Sequence, residues 1–138
     1  MHNQGIVHRD IKAENIIIDE HMNVRLLDFG FASSQNNDEL NCYCGTPAYM
    51  APEIKKGLVY KGREVDIFSL GVVLFIIVRG LFPFTEAKDK DYWYKLIKTG
   101  QIGTYFSKID KNNTLSPEFR DLVISIYAEE GSERPTIE

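Results

Sequence analysis

The sequence has 138 residues, and its 16 basic and 20 acidic side chains give a net charge of −4. This length predicts one domain at most, and a content of 43% hydrophobic and 26% charged residues excludes disorder of the whole chain. The acidic balance argues against a nucleic-acid partner and is compatible with a basic partner.

The cysteines and the longest apolar run exclude two further classes. Cys42 and Cys44 are the two cysteines of the sequence, and a zinc site usually needs a second pair, so we expect no zinc. The apolar run at residues 67–78 is too short to span a bilayer. The first residues lack the basic and then apolar pattern of a signal peptide. We therefore expect an intracellular, cytoplasmic location and no membrane partner.

Short β-branched runs open the chain. They predict strands at Ile6–Val7, Ile16–Ile18 and residues 24–27. The residues 19–23, "DEHMN", have turn chemistry and predict an antiparallel hairpin between the second and third of these strands. The polar residues 33–41, "SSQNNDELN", are predicted to form a loop.

Helices are predicted in the second half of the chain. A short helical turn is expected around Glu53. Residues 64–79 have almost no polar face, which predicts a helix buried on all sides and ended by Gly80. Another helix is predicted over residues 89–99, where Gly100 ends it.

The last predicted helix begins at Ser116, with a proline in its first turn and an acidic residue near the positive end of its dipole. Apolar residues at helical spacing predict that one of its faces packs in the core. The residues of this face are Phe119, Leu122, Val123 and Ile126.

Polar side chains crowd directly before a strand in residues 7–19, "VHRDIKAENIIID". The sequence "DFG" follows at residues 28–30, and "GTPAYMAPE" at residues 45–53. Three motifs in this order form a specific pattern. Over nearly all of its length, the chain resembles the C-terminal lobe of a eukaryotic-type serine/threonine protein kinase. The resemblance implies a protein kinase-like fold, mainly α with a small antiparallel β-hairpin.

The resemblance implies a role for each polar residue of the catalytic loop, which we define as residues 8–15. Asp10 would orient the attacking hydroxyl and accept its proton, and Lys12 would stabilise the transferred phosphoryl group. Asn15 and Asp28 offer the oxygen ligands that magnesium prefers. The implied cofactors are ATP and Mg²⁺, and a metal and phosphate site explains the polar crowd.

Other positions match residues that support the site in this family. Asp66 would hydrogen-bond the backbone of the catalytic loop. Glu53 would pair with Arg134 and fix the activation segment, residues 28–53, to the end of the chain. The alternative for these acids is a solvated surface position. The residues expected to give structural support are His8, Arg9, Phe29, Gly30, Glu53, Asp66 and Arg134. Of these, His8 and Phe29 would act by packing.

The substrate class follows from smaller features of the same resemblance. Lys12 and "GTPAY" resemble serine/threonine kinases rather than tyrosine kinases, and Thr46 would hydrogen-bond between Asp10 and Lys12. Glu14 resembles the acidic position that attracts substrate arginines, although a solvent-facing charge is an alternative. The run at residues 64–84 is most similar to calcium/calmodulin-dependent and AMP-activated kinases. The expected partner is a protein substrate with a Ser or Thr acceptor, which basic residues can flank.

The sequence departs from the family by what it lacks. We find no Gly-rich loop and no strand lysine for the α- and β-phosphates, so residues 1–138 are predicted to be a partial kinase domain without its N-terminal lobe. The apolar helix would then lose one covering neighbour, and we expect the missing lobe or a partner to cover it. The alternative function is a non-catalytic lobe that binds substrates or partners.

A second departure lies in the activation segment. Arg9 before Asp10 is typical of kinases in which a phosphate on this segment neutralises the arginine. The usual acceptor position holds Cys42, so we expect Asp38 or Glu39 to supply the negative charge. Ser33 and Ser34 remain possible acceptors, and oxidation of Cys42 is another hypothesis.

Overall fold

The computed structural model describes residues 1–34 and 39–137, in which two small antiparallel sheets precede a group of helices. Each sheet has two strands, and short 3₁₀ turns lie at His2–Gln4, Ala13–Asn15 and Gly131–Glu133. The strands are β1 (Ile6–Val7), β2 (Ile16–Ile18), β3 (Val24–Leu26) and β4 (Ser33–Ser34). The helices are α1 (Pro52–Lys55), α2 (Gly62–Arg79), α3 (Tyr92–Lys98), α4 (Ile102–Ile109) and α5 (Pro117–Ile126).

The predicted hairpin is confirmed as the β2–β3 sheet, with Ile16 opposite Leu26. Its turn is closed by the Asp19 carboxylate, which accepts hydrogen bonds from the backbone N–H groups of His21 and Asn23, both at 2.9 Å. Beyond the strands, the N–H of Leu27 donates to the carbonyl of Asn15 at 2.8 Å. The hairpin therefore has Asn15, directly before β2, and Asp28, two residues after β3, at the same end.

Strand β4 corrects the predicted loop over residues 33–41. Ser33 and Ser34 pair with Val7 and Ile6 of β1. Serine has no strand preference that the sequence could show, because the pairing comes from the distant strand β1. The sheet holds the start of the activation segment against the beginning of the catalytic loop.

Helix α2 runs through the centre of the fold and begins two residues earlier than predicted. Its first three turns are buried, and Phe68 and Val72 have no exposed surface. Near its C-terminus, Ile77 is 71% exposed and Val78 is 51% exposed. The prediction of burial on all sides is therefore wrong for the last turns, where few other elements cover the helix.

Helix α3 lies within the predicted helix of residues 89–99, and α4 follows it. α3 begins at Tyr92 because the Asp91 side chain accepts from the N–H of Tyr94 and caps the helix at its N-terminus. α4 was not predicted, and it contains Gly103 in its first turn. Its Tyr105 and Phe106 pack in the core, and this burial overrides the weak helix preference of glycine.

The predicted start of α5 is confirmed, because the Ser116 side chain accepts from the N–H of Phe119 at 3.2 Å. Val123 and Ile126 are buried in the core. Leu122 is 43% exposed, so its predicted place in the core is wrong. The face of α5 that packs on α2 is narrower than the apolar spacing of the sequence indicates.

Aromatic side chains join the helices into one core. The ring of Phe84 lies 5.3 Å from the ring of Tyr94 and 5.2 Å from that of Tyr127, and both contacts are edge to face. Phe68 of α2 lies 5.7 Å from Tyr127. Within residues 1–34 and 39–137, no helix is long and apolar enough to cross a membrane.

The α2–α5 contact depends on a glycine. A Cβ atom at Gly71 would overlap the Ile126 side chain and lie 3.2 Å from the Tyr127 ring. We expect Gly71→Ala to lower the free energy of unfolding by about 1–3 kcal/mol through overpacking. Gly103→Ala is the control, since no atom lies within 4 Å of its Cβ position, and it should stabilise α4 by about 0.5–1 kcal/mol. Urea unfolding checks both values; equal effects would contradict this packing.

Candidate active site

A buried carboxylate near the start of α2 accepts hydrogen bonds from the backbone of the catalytic loop. Asp66 Oδ2 accepts from the N–H of His8 at 2.8 Å, and Oδ1 accepts from the N–H of Arg9 at 2.7 Å. Arg9 has a positive φ of 66°, which a non-glycine residue adopts at a cost in free energy. The two hydrogen bonds stabilise this conformation. They are the contact with the loop backbone that the sequence predicted for Asp66.

His8 joins the catalytic loop to the "DFG" residues. Its Nδ1 atom accepts from the N–H of Asp10 at 3.3 Å, so its Nε2–H group donates to the carbonyl of Leu27 at 3.0 Å. The His8 ring also packs edge to face on Phe29 at 4.9 Å. His8 is fully buried, and these contacts set the position of the loop relative to Asp28.

Asp10, Lys12 and Thr46 form a closed set of polar contacts. Lys12 Nζ lies 2.8 Å from Asp10 Oδ2 and donates to Thr46 Oγ1 at 2.9 Å. Thr46 Oγ1 donates in turn to Asp10 Oδ1 at 2.7 Å. The hydrogen bond to Asp10 raises the pKa of the Lys12 amine, and the charges of Asp10, Glu14 and Asp28 act in the same direction. The contact that the sequence predicted for Thr46 is present.

Gly45 brings Thr46 to the catalytic loop. Its φ is 109°, and a Cβ atom there would lie 2.7 Å from the carbonyl oxygen of Arg9. A larger residue would push the activation segment away from the loop. The glycine therefore sets the distance that the Thr46 hydroxyl needs to reach Asp10.

Asn15 and Asp28 have the donor types of a magnesium site. The Asn15 Nδ2 group donates to the Asp10 carbonyl at 3.0 Å, so its Oδ1 points elsewhere and accepts from no residue within the described ranges. Asp28, with a φ of 57°, accepts from the N–H of Gly30 at 3.1 Å through Oδ1 alone. An amide oxygen and a carboxylate oxygen at one end of the hairpin fit a hard cation.

Few protein ligands would hold such a cation. In residues 1–34 and 39–137, no group of three or more His, Cys, Asp or Glu side chains could bind a metal. Magnesium keeps several waters and commonly binds through one or two protein ligands together with substrate phosphates. The pair Asn15 and Asp28 fits this pattern.

Comparison with known proteins agrees with the geometry. Residues 1–138 match the family model described as Protein kinase domain. The chain belongs to the protein kinase family. Its relatives place it among the eukaryotic-type serine/threonine kinases.

Three relatives show the extent of the similarity. Serine/threonine-protein kinase kin-29 of Caenorhabditis elegans is 52% identical over 85 residues, 61% of this chain and 10% of the relative. Sperm motility kinase 2B of Mus musculus is 37% identical over 137 residues, 99% of this chain and 27% of the relative. Serine/threonine-protein kinase SIK2 of Gallus gallus is 49% identical over 84 residues, 60% of this chain and 10% of the relative. The chain thus spans about a quarter or less of these relatives.

The far end of the activation segment of this kinase domain is fixed by an ion pair. Arg134 Nη1 and Nη2 donate to the two Glu53 oxygens at 2.7 and 2.8 Å. Arg134 also donates to the carbonyls of Glu64 and Ala128, and its guanidinium lies 5.0 Å from the Phe68 ring. The expected Glu53–Arg134 pair is therefore present, and it joins α1 to α2 and to the end of the chain.

Two buried residues beside the site had no signal in the sequence. The His2 ring lies 2.8 Å from Asp66 Oδ2 and completes the contacts of that carboxylate. Tyr49 donates through its hydroxyl to Glu14 at 3.2 Å, and burial raises the pKa of Tyr49. Each contact spans a long stretch of sequence, which local patterns do not reveal. Glu14 itself is exposed.

The structure describes only part of the activation segment of the kinase domain. Arg9 Nε donates to the carbonyl of Phe31 at 2.6 Å, which fixes the residues after "DFG". Asp38, one of the two acids predicted to supply negative charge, lies outside the described residues. Glu39 and Cys42 are exposed, so the role of Glu39 stays a prediction.

Proposed function

We propose that the chain forms the catalytic and substrate-binding lobe of a serine/threonine protein kinase. The reaction is transfer of the γ-phosphoryl group of ATP to Ser or Thr hydroxyls of protein substrates. The observation that carries this proposal is the Asp10–Lys12–Thr46 set, in which the activation segment contacts the catalytic loop. Family membership over residues 1–138 supports the same reaction.

Asp10 acts on the acceptor hydroxyl. Its carboxylate is buried, and Thr46 and Lys12 each contact one of its oxygens, so its orientation is fixed before a substrate arrives. A carboxylate in this place would align the hydroxyl and accept its proton as the new P–O bond forms and the bond between the γ-phosphoryl group and ADP breaks. General-base assistance of this kind contributes about 10²–10⁴-fold to the rate.

Lys12 supplies the positive charge for the transferred group. Because the neighbouring acids raise the pKa of its amine, it stays an ammonium ion at neutral pH. A fixed cation stabilises charge in the transition state without reorganisation at the moment of reaction. Thr46 holds this ammonium within reach of Asp10, so acid and cation face the same reacting centre.

Asn15 and Asp28 would hold the metal. Magnesium, when bound with ATP, neutralises phosphate charge and aligns the transferred group. Asn15 contributes its Oδ1 because Nδ2 is bonded to the catalytic loop. The Leu27–Asn15 backbone bond and the His8–Phe29 contact set the distance between these two ligands.

The substrate would be a protein with a Ser or Thr acceptor, and Glu14 favours basic residues beside it. The Tyr49 hydroxyl orients the exposed Glu14 carboxylate, which leaves its other oxygen for a substrate arginine. The adenine and the α- and β-phosphates would bind to an N-terminal lobe. We infer that such a lobe, or a partner, covers the apolar end of α2.

A binding module without catalysis is the second candidate. It is favoured by the exposed apolar residues that follow one another at the end of α2. These residues are Ile77, Val78, Leu81 and Phe82. This candidate predicts a protein that binds through this surface and has no phosphoryl-transfer activity.

Thr46 variants test the proposed function. The assay protein is the chain placed after the N-terminal lobe of the kin-29 relative, here called the lobe-completed protein. Thr46→Val removes a hydrogen bond to a charged group, worth about 1.5–3 kcal/mol, which corresponds to roughly a 10–100-fold loss in kcat/KM for a Ser peptide.

Thr46→Ser is the matched control, because serine keeps the hydroxyl and should retain most of the activity. Thermal unfolding of both variants separates a local change from loss of the fold. Full activity of Thr46→Val, in a protein with unchanged stability, would contradict the assigned contact.

A further inference from the structure

Two thiols lie side by side in the activation segment and have no part in the proposed phosphoryl transfer. Cys42 is exposed, Cys44 is buried, and both are free thiols. The N–H of Cys44 donates to the carbonyl of Cys42 at 3.1 Å, a bond between residues i+2 and i that closes a γ-turn.

This turn brings the two residues within disulfide range. Two consecutive residues span at most about 7 Å when the chain is extended, and the turn shortens that span. A disulfide joins Cα atoms that are about 4.4–6.8 Å apart. The backbone at residues 42–44 therefore needs little movement to bring the sulfur atoms together.

Tyr60 holds both residues of this pair. Its hydroxyl donates to the Cys42 carbonyl at 2.9 Å, and Cys44 Sγ lies 3.7 Å from the same hydroxyl oxygen. A phenol has one hydrogen to donate, so the Cys44 thiol is the donor in the second contact. Burial raises the pKa of Tyr60 to about 12, and its hydroxyl stays protonated.

The two sulfurs differ in access. Burial raises the pKa of the Cys44 thiol, and the neighbouring Cys42 side chain acts in the same direction. The exposed thiol can meet an oxidant from solvent, whereas the buried thiol is protected and lies next to it. This is the arrangement of an attacking cysteine beside a resolving cysteine.

We infer that Cys42 and Cys44 form a peroxide-sensitive dithiol, which hydrogen peroxide converts into an intramolecular disulfide. Formation of this disulfide does not depend on whether the proposed phosphoryl transfer takes place. It occupies the position where the sequence has Cys42 in place of the phosphate acceptor of related kinases.

The reaction proceeds in two balanced steps. The Cys42 thiolate attacks one oxygen of hydrogen peroxide and the O–O bond breaks; uptake of one proton gives Cys42 sulfenic acid and water. The Cys44 sulfur then attacks the sulfenic sulfur and the S–O bond breaks. The Cys44 thiol proton leaves with the hydroxide as a second water. Two electrons pass from the sulfurs to the peroxide.

The disulfide would act on the site through the next two residues. Ring closure withdraws Cys44 Sγ from Tyr60 and turns the chain directly before Gly45. Gly45 packs against the Arg9 carbonyl with no room for a side chain, and Thr46 follows it. We expect oxidation to weaken the hydrogen bond from Thr46 to Asp10.

Peroxide titration of the 138-residue chain tests the inference. Mass spectrometry of the peptide that contains residues 42–44 should show loss of two hydrogen masses, which dithiothreitol reverses. Cys44→Ser should stop at a Cys42 sulfenic acid that dimedone traps. Cys42→Ser should consume peroxide at least about tenfold more slowly than the parent chain, because the remaining thiol is buried.

Three results would overturn the inference. The first is Cys42 sulfinic acid without any internal disulfide at stoichiometric peroxide. The second is a disulfide-linked dimer whose yield rises with protein concentration in place of the internal product. The third is a Cys42→Ser variant that reacts as fast as the parent chain, although it unfolds at the same temperature.

Discussion

Replacement of Arg134 with methionine should lower the free energy of unfolding by about 3–5 kcal/mol. The guanidinium is almost fully buried and binds both oxygens of Glu53, whose side chain is 12% exposed. Methionine fills much of the volume but leaves the Glu53 carboxylate without its partner. A largely buried carboxylate without a partner destabilises the folded state much more than one that is paired or solvated.

A loss of this size is a large part of the free energy of unfolding of a domain, which is only about 5–15 kcal/mol. Two further variants therefore serve as controls. Arg25→Met removes an exposed pair with Asp19 and should change stability by about 1 kcal/mol or less. The double variant Glu53→Gln with Arg134→Met lacks the unpaired charge and should be more stable than Arg134→Met alone. Urea unfolding measures all three. If Arg134→Met and Arg25→Met lost equal stability, the Glu53 pair would not fix the activation segment as the structure indicates.

Asp10→Asn should lower the turnover of the lobe-completed protein by about 10²–10⁴-fold. Asparagine keeps the shape of the side chain and can still accept from the Thr46 hydroxyl. It loses the negative charge and the basicity that the acceptor proton requires. The KM for ATP should change little, because Asp10 is not among the residues assigned to the metal.

Asp121→Asn is the charge-matched control, because Asp121 lies on the exposed face of α5 and away from the catalytic loop. It should keep full turnover. Steady-state phosphorylation of a Ser peptide, with ATP and peptide varied separately, provides both constants. An Asp10→Asn protein that turns over within about threefold of the parent would exclude the general-base role.

The sequence predicted contacts between the motif residues better than it predicted which helix residues are exposed. Motif residues such as Asp10 and Thr46 meet at hydrogen-bond distance, because the polar types and their spacing are tied to one arrangement of backbone. The contact of Asp66 with the loop backbone was also predicted, although 57 residues separate it from Arg9. Family resemblance supplied that long-range contact, which local patterns cannot.

The errors have a common physical cause. Ser33–Ser34 forms a strand, and residues 102–109 form a helix, through contacts with residues distant in sequence. Leu122 and Ile77 were predicted to be buried, but both are exposed. The apolar pattern shows which residues can be buried, and it does not show how much neighbouring surface covers them. His2 and Tyr49 were missed because their partners, Asp66 and Glu14, are remote in the sequence.

The most direct test of the central claim is calorimetric titration of Mg·ATP into the purified 138-residue chain. If Asn15 and Asp28 form a metal and phosphate site, the chain should bind Mg·ATP, and Asp28→Ala should abolish the heat of binding. Glu20→Ala, which changes an exposed acid at the opposite end of the hairpin, should bind as the parent chain does. A folded chain that gives no heat, or equal heats for Asp28→Ala and the parent, would contradict the claim that this lobe carries a nucleotide site.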